Sequence, residues 1–264
     1  MRNFGGFFRI SGVAALVVLG SSILAEAMTR GALPPSTALP VRFVHSVDAR
    51  KAHVGDLVVA KTMQEVVLPG GQRLAKGTLL KGHVVYAQSF HYDPSPDAAQ
   101  QASRLSIHFD QIDLGDLTIP VNLSVRALAD TFDSSTAESP QRLDETDPFP
   151  FMALIGGEEF SPLDKTVKGW SGEVVASNRR QGVFGRLLAS EDNDSGAGLG
   201  CGASETEQSV AIFAPSACGL YGFVDESMPH AGRRGSGTFT LESRDHSVKL
   251  YAGTTALLEQ TQAH

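Results

Sequence analysis

The sequence predicts an all-β protein, mainly antiparallel, folded as a β-barrel or sandwich with long polar loops and little helix. The strongest sign is a period of two between residues 104 and 126. Leu105, Ile107 and Phe109 alternate with Arg104, Ser106, His108 and Asp110. After a turn at Gly115-Asp116, Leu117, Ile119, Val121, Leu123 and Val125 alternate with Thr118, Pro120, Asn122, Ser124 and Arg126. Such alternation gives a strand one apolar face and one wet face. The second sign is a set of short valine-rich runs bounded by Gly and Pro turns, and the third is a Gly-rich second half with similar short runs.

The amino terminus reads as a cleavable export signal. Arg2 and Arg9 form a short basic region, Ile10 to Leu24 is apolar, and Ala25-Glu26-Ala27 puts small residues where a signal peptidase cuts. The apolar run is about 15 residues, short of the ~20 that span a bilayer. Residues 1–27 are therefore expected to be removed, with Met28 beginning a mature protein that is periplasmic or secreted. Taking Arg2, Arg9 and Glu26 from 22 basic and 29 acidic residues leaves 20 and 28, a formal charge of −8. So acidic a chain is a poor partner for nucleic acid or an anionic membrane face. No later segment is long and apolar enough to predict a transmembrane helix. Other envelope proteins are the expected partners.

Residues 28–40, rich in Pro, Ala, Ser and Thr, read as a disordered leader. A β-barrel-like domain is expected over 41–128. Val41 to Val47, Leu57 to Ala60, Glu65 to Leu68 and Leu79 to Ala87 are its β-like runs. Pro69-Gly70-Gly71 is a turn by composition, and Gly82 marks a bulge or a close approach of two backbones. Residues 89–103 form a polar loop. Residues 104–126 are expected to pair as a hairpin with Leu105, Ile107, Phe109, Ile119, Val121 and Leu123 facing one core. Pro120 cannot donate to a ladder, which places it at an edge or bulge.

Residues 129–160 read as an acidic linker or long loop, with Asp130, Asp133, Glu138, Asp144, Glu145 and Asp147 opposed by Arg142. Residues 161–260 form a Gly-rich second β region that either stands apart or shares the first domain. Strands are expected on both sides of Trp170, at Val210 to Phe213 and at Leu220 to Val224. A last hairpin pairs Gly237 to Leu241 with Val248 to Tyr251. A short echo links Leu74-Ala75-Lys76-Gly77-Thr78-Leu79-Leu80 to Leu250-Tyr251-Ala252-Gly253-Thr254-Thr255-Ala256-Leu257-Leu258.

The chemistry-bearing motifs are sparse. The eight histidines show no metal-ligand spacing. Asp192-Asn193-Asp194-Ser195-Gly196 misplaces the glycine and lacks the glutamate of a calcium loop. No cofactor is expected and no catalytic residue is assigned. Cys201 and Cys218, an isolated pair in an exported protein, predict a disulfide. Closing a loop of that size contributes about 3 kcal/mol on the chain-entropy model. The competing reading makes Cys218 a nucleophile with His230 as its base, in an envelope hydrolase. A third reading, a glycan-binding module, rests on Trp170, Tyr86, Tyr92 and Tyr221. The leading reading is a non-enzymatic scaffold or interaction module of the envelope.

One resemblance bears on that reading. Val66-Val67-Leu68-Pro69, then Leu74-Ala75-Lys76-Gly77-Thr78-Leu79-Leu80-Lys81-Gly82, then Arg104-Leu105-Ser106-Ile107-His108-Phe109-Asp110 and Leu117-Thr118-Ile119-Pro120-Val121 are similar to a family pattern of turns and strands. The family is the VirB/TrbI-type periplasmic β-barrel domain of conjugation and type IV secretion proteins. The resemblance covers residues 41–126, about a third of the chain. It implies an envelope β-barrel domain. The chain departs from the family in having no recognisable proline-rich stalk or pore-forming helical pair, so a secretion channel is not implied.

Overall fold

The computed structural model describes residues 33–68, 72–144, 146, 148–191, 200–229 and 237–261. The first strands follow the valine-rich runs: β1 (Ala38–Phe43), β2 (Val47–Asp48), β3 (Leu57–Thr62), β4 (Val66–Val67), β5 (Arg73–Leu74) and β6 (Leu79–Gln88). The alternating segment supplies β7 (Ser103–Asp113), β8 (Thr118–Pro120) and β9 (Leu123–Ala129). A short helix, α1 (Thr131–Glu138), follows within the acidic stretch. Its Asp130 N-cap accepts the Asp133 N–H at 2.8 Å.

The second half adds β10 (Met152–Ala153), β11 (Glu159–Phe160), β12 (Thr166–Lys168), β13 (Val174–Arg179), β14 (Gly182–Arg186) and β15 (Glu207–Ser209). It ends with β16 (Gly219–Tyr221), β17 (Glu226–Ser227), β18 (Thr238–Ser243), β19 (Lys249–Leu250) and β20 (Thr255–Gln260). The main sheet runs β16-β9-β20-β1-β3-β6-β7-β18-β17, with β8 beside β7. It is mostly antiparallel and curls into a nearly closed barrel. Its two ends approach where Gly237, before β18, sits against Asn122, before β9. Strands from both sides of residues 129–160 build this sheet, and residues 31–264 form one compact unit.

The inner face of the barrel holds the larger core. Phe43, Phe109 and Phe239 meet there with ring centroids 6.0–6.4 Å apart. All six side chains expected to face one core, from Leu105 to Leu123, are buried in it. The hairpin carrying them is shorter than its pattern: β8 pairs with β7 only over Gln111 to Asp113, and Pro120 is on an edge strand. Leu105 to Phe109 pair instead with β6 and β18, while β9 crosses to β20. Gly82 is both a bulge and a close approach. The register shifts beside it, and a Cβ there would lie 2.2 Å from the His108 carbonyl oxygen.

The echoed segments are the same turn used twice. Gly77 (φ +87°) leads into β6 and Gly253 (φ +99°) into β20, each closed by the N–H of the following threonine. Both glycines sit where a turn needs positive φ.

A second core lies outside the barrel. β12, β13, β14 and β15 form a four-stranded sheet. Val167, Ala176, Val183 and Phe213 pack with Ala38, Ala127, Ala129 and Leu257 of the barrel. The small alanines let the two layers approach closely. This packing overturns the wet face expected for the β9 segment, because all seven residues of β9 are buried.

Three other expectations are corrected. The leader expected over residues 28–40 is ordered where it is described: Leu33 and Thr37 are buried, and Ala38 to Pro40 begin β1 and pair with β20. The hairpin expected around Arg244-Asp245-His246 does not form, since β18 pairs with β7 and β19 with β2. Residues 210–213 are a turn, with Ala211 in the left-handed region at φ 52°. The side chains of Val210, Ile212 and Phe213 fill the second core, and the backbone makes a single bridge, from Phe213 to Ile155, in place of a strand. The turn at residues 69–71 and the export signal lie outside the described residues.

Candidate functional site: a groove beside the barrel

A groove of ≈ 520 Å³ opens where the barrel, α1 and the second sheet meet. Its floor is apolar, made by Met63, Met152, Phe160, Val183 and Ile212. Phe160, Val183 and Ile212 are buried, while the two methionines are half-buried.

Each wall is set by a local device. Gln64, 4% exposed, follows β3 and acts as a paired strand residue for Val183. Its Oε1 accepts the Val183 N–H at 3.1 Å and its Nε2 donates to the Val183 carbonyl at 2.7 Å and to Ser209 Oγ. Gly182 is required beside it, because a Cβ there would fall 1.9 Å from Gln64 Oε1. On the floor, Phe213 N–H closes the strained Ala211 turn onto the Val210 carbonyl at 3.0 Å, and Ile155 N–H donates to the Ile212 carbonyl at 2.8 Å. A left-handed non-glycine residue costs roughly 1–2 kcal/mol. The hydrogen bonds on both sides hold it and place Ile212 in the floor.

The rim is charged. Glu65 pairs with Arg73 at 2.7 Å, and Glu138 pairs with Arg42. Lys76 and Arg180 are exposed and have no acidic partner among the described residues. Both rim acids are thus neutralised within the fold, and two rim bases are left over.

Arg126 is the largest of the fully buried side chains, 1% exposed. Its guanidinium donates to the carbonyls of Ala217 (3.0 Å), Gly202 (2.5 Å), Pro215 (3.3 Å) and Leu188. Glu259 lies 3.9 Å away. Burial lowers its pKa, and the Glu259 and Tyr221 charges oppose that shift. The four carbonyls satisfy a charge that an apolar interior would otherwise reject. The Cys201–Cys218 disulfide is formed beside it. Gly202 and Ala217, which accept from Arg126, are the neighbours of the two cysteines.

That bond leaves Cys218 without a thiolate, and His230 lies outside the described residues. The residues of the glycan reading are not brought together as ring pairs. Trp170 stands 98% exposed on the β12–β13 turn and Tyr92 is exposed in the loop after β6. Tyr86 carries Arg104 over its ring at 5.9 Å, and Tyr221 Oη bonds the Cys218 backbone.

On the barrel exterior, His83 and His108 face each other across β6 and β7. Asp110, at a register shift of β7, lies 2.8 Å from His83 Nδ1 and 3.8 Å from His108 Nε2. Among the described residues, no group of three or more His, Cys, Asp or Glu is arranged to hold a metal ion. The calcium-like stretch at residues 192–196 lies outside them. No helix of the described residues is long and apolar enough to cross a membrane.

The sequence did not reveal the groove. Its residues come from seven separate segments, and none carries a binding motif. Comparison with family models, curated proteins and solved structures gives no match.

Proposed function

We propose that this protein is an exported, non-enzymatic interaction module of the cell envelope, a rigid β-scaffold that holds a partner in the groove beside its barrel. The groove carries this reading: an apolar floor inside a charged rim is the anatomy of a protein-binding patch. Three further features support it. A disulfide suits an oxidising compartment. The amino-terminal pattern suits export. The likeness of residues 41–126 to a VirB/TrbI-type domain suits a place beside conjugation or secretion machinery.

The test is site-specific photocrosslinking in intact cells. A photoreactive residue at Lys76 or Gln181 in the groove rim is expected to yield a discrete envelope adduct, and one at Tyr92, in the loop at the opposite end of β6, is not. Equal labelling from both places, or none from the groove, sinks the proposal. Amino-terminal sequencing of the exported protein is expected to begin at Met28.

A further inference from the structure

We infer that the groove takes an acidic segment of a partner protein, studded with apolar side chains. The inference rests on the interaction-module reading and adds the chemistry of the partner. The ion pairs at the rim point to it. Glu65 and Glu138 are occupied by Arg73 and Arg42, whereas Lys76 and Arg180 have no acidic partner among the described residues. Lys76 and Arg180 are therefore two uncompensated bases at the rim on a chain whose formal net charge is −7. An acidic partner is repelled by the general field of such a chain and is drawn to the place where two bases stand uncompensated.

The floor adds the apolar requirement. Met63 and Met152 are unbranched, polarisable side chains that repack around different apolar groups. Phe160 and Ile212 give a firm base beneath them. The Gln181 amide at the rim offers both a donor and an acceptor, which suits a peptide backbone. Guanidinium and ammonium groups at the edge then read carboxylates, and the thioethers read the side chains between them.

The experiment uses the full mature protein and three short fluorescent peptides of equal length. One alternates leucine with aspartate and glutamate. The second replaces the acids by lysine. The third keeps the acids and replaces leucine by serine. Fluorescence anisotropy is expected to show binding of the first alone, weakening as salt rises. The double variant Lys76→Glu/Arg180→Glu is expected to weaken it by at least roughly tenfold. Met152→Asp is expected to weaken it similarly. All the substituted side chains are at least partly exposed, and an unchanged melting temperature checks that each variant is folded.

Equal binding of the lysine peptide, no effect of the charge reversals, or no binding of the first peptide at about 1 mM overturns the inference. So does concentration-dependent dimerisation abolished by Met152→Asp, which would make a second copy the occupant. Groove crosslinks in cells without peptide binding overturn the partner chemistry alone. Absence of groove crosslinks overturns the interaction-module reading itself.

Discussion

At the scale of single residues, the two faces of β7 are both informative. Phe109 sits in the aromatic cluster of the barrel, 1% exposed. Phe109→Ala is expected to cost about 3–5 kcal/mol in a denaturant titration. Alternation alone puts Ser106 on the wet face, yet it is 6% exposed and shares a hydrogen bond with Thr240 at 2.7 Å. Ser106→Ala is therefore expected to cost about 1 kcal/mol rather than nothing. Equal losses for the two variants would mean that the observed register is wrong.

Glu226 is a second residue-scale case. Its side chain is 7% exposed, and its Oε2 has no hydrogen-bond partner among the described residues. Burial raises its pKa, and the His246 bond at 3.0 Å opposes the rise. The folded protein thus keeps a proton that the unfolded chain has released. Stability is full below the ordinary value of 4.5 and falls as pH rises through the elevated folded value. Glu226→Gln is expected to flatten that part of a melting-temperature profile. An unchanged slope would remove Glu226 from the account.

At the scale of elements, the disulfide and Arg126 hold the same two points of chain. Cys201 and Cys218 lie 17 residues apart, and the carbonyls of Gly202 and Ala217 beside them accept from the guanidinium. Replacing both cysteines by serine is expected to cost about 3 kcal/mol. Arg126→Met removes a donor from four buried or part-buried carbonyls, of which that of Pro215 keeps the Leu188 N–H, and is expected to cost about 3–5 kcal/mol. Because the ties share their anchor points, the combined variant is expected to lose less than the sum. Strict additivity in a double-mutant cycle would mean that the two act independently. Helix α1 shows why this region was hard to read. Its eight residues, TFDSSTAE, have no apolar stripe and fall below the length at which a helix stands alone. Docking holds it: Ser134 Oγ lies 2.8 Å from Thr255 Oγ1 on β20, and Glu138 pairs with Arg42 on β1.

At the scale of the molecule, the second sheet is latched to the barrel. Gln64 pairs with Val183, and Gln208 Oε1 accepts the Ala38 N–H at 3.1 Å. Gln64→Ala leaves the buried Val183 N–H without its acceptor, while the Val183 carbonyl keeps the Val210 N–H. Hydrogen exchange is expected to speed up across residues 174–186 and to stay slow in β6 and β7, because their ladders lie wholly within the main sheet. Uniform acceleration would show that the two sheets open as one unit. The same variant removes a wall of the groove, so peptide binding should weaken with it.

The chain's local patterns carry the β class, the buried face of β7 and β8, the bulge at Gly82 and the pairing of Cys201 with Cys218. Each depends on neighbours in sequence or on residue chemistry: a period of two, a missing Cβ, an isolated pair of cysteines. Tertiary structure alone decided which strands close the barrel, that both faces of β9 are buried, and that seven separate segments converge on one groove. Alternation reports which face of a strand is apolar and is silent on what covers the other face. The cover over Arg126 arrives from residues 188, 202, 215 and 217, some 60–90 positions later in the chain. A buried cation becomes favourable only after that distant backbone has closed around it.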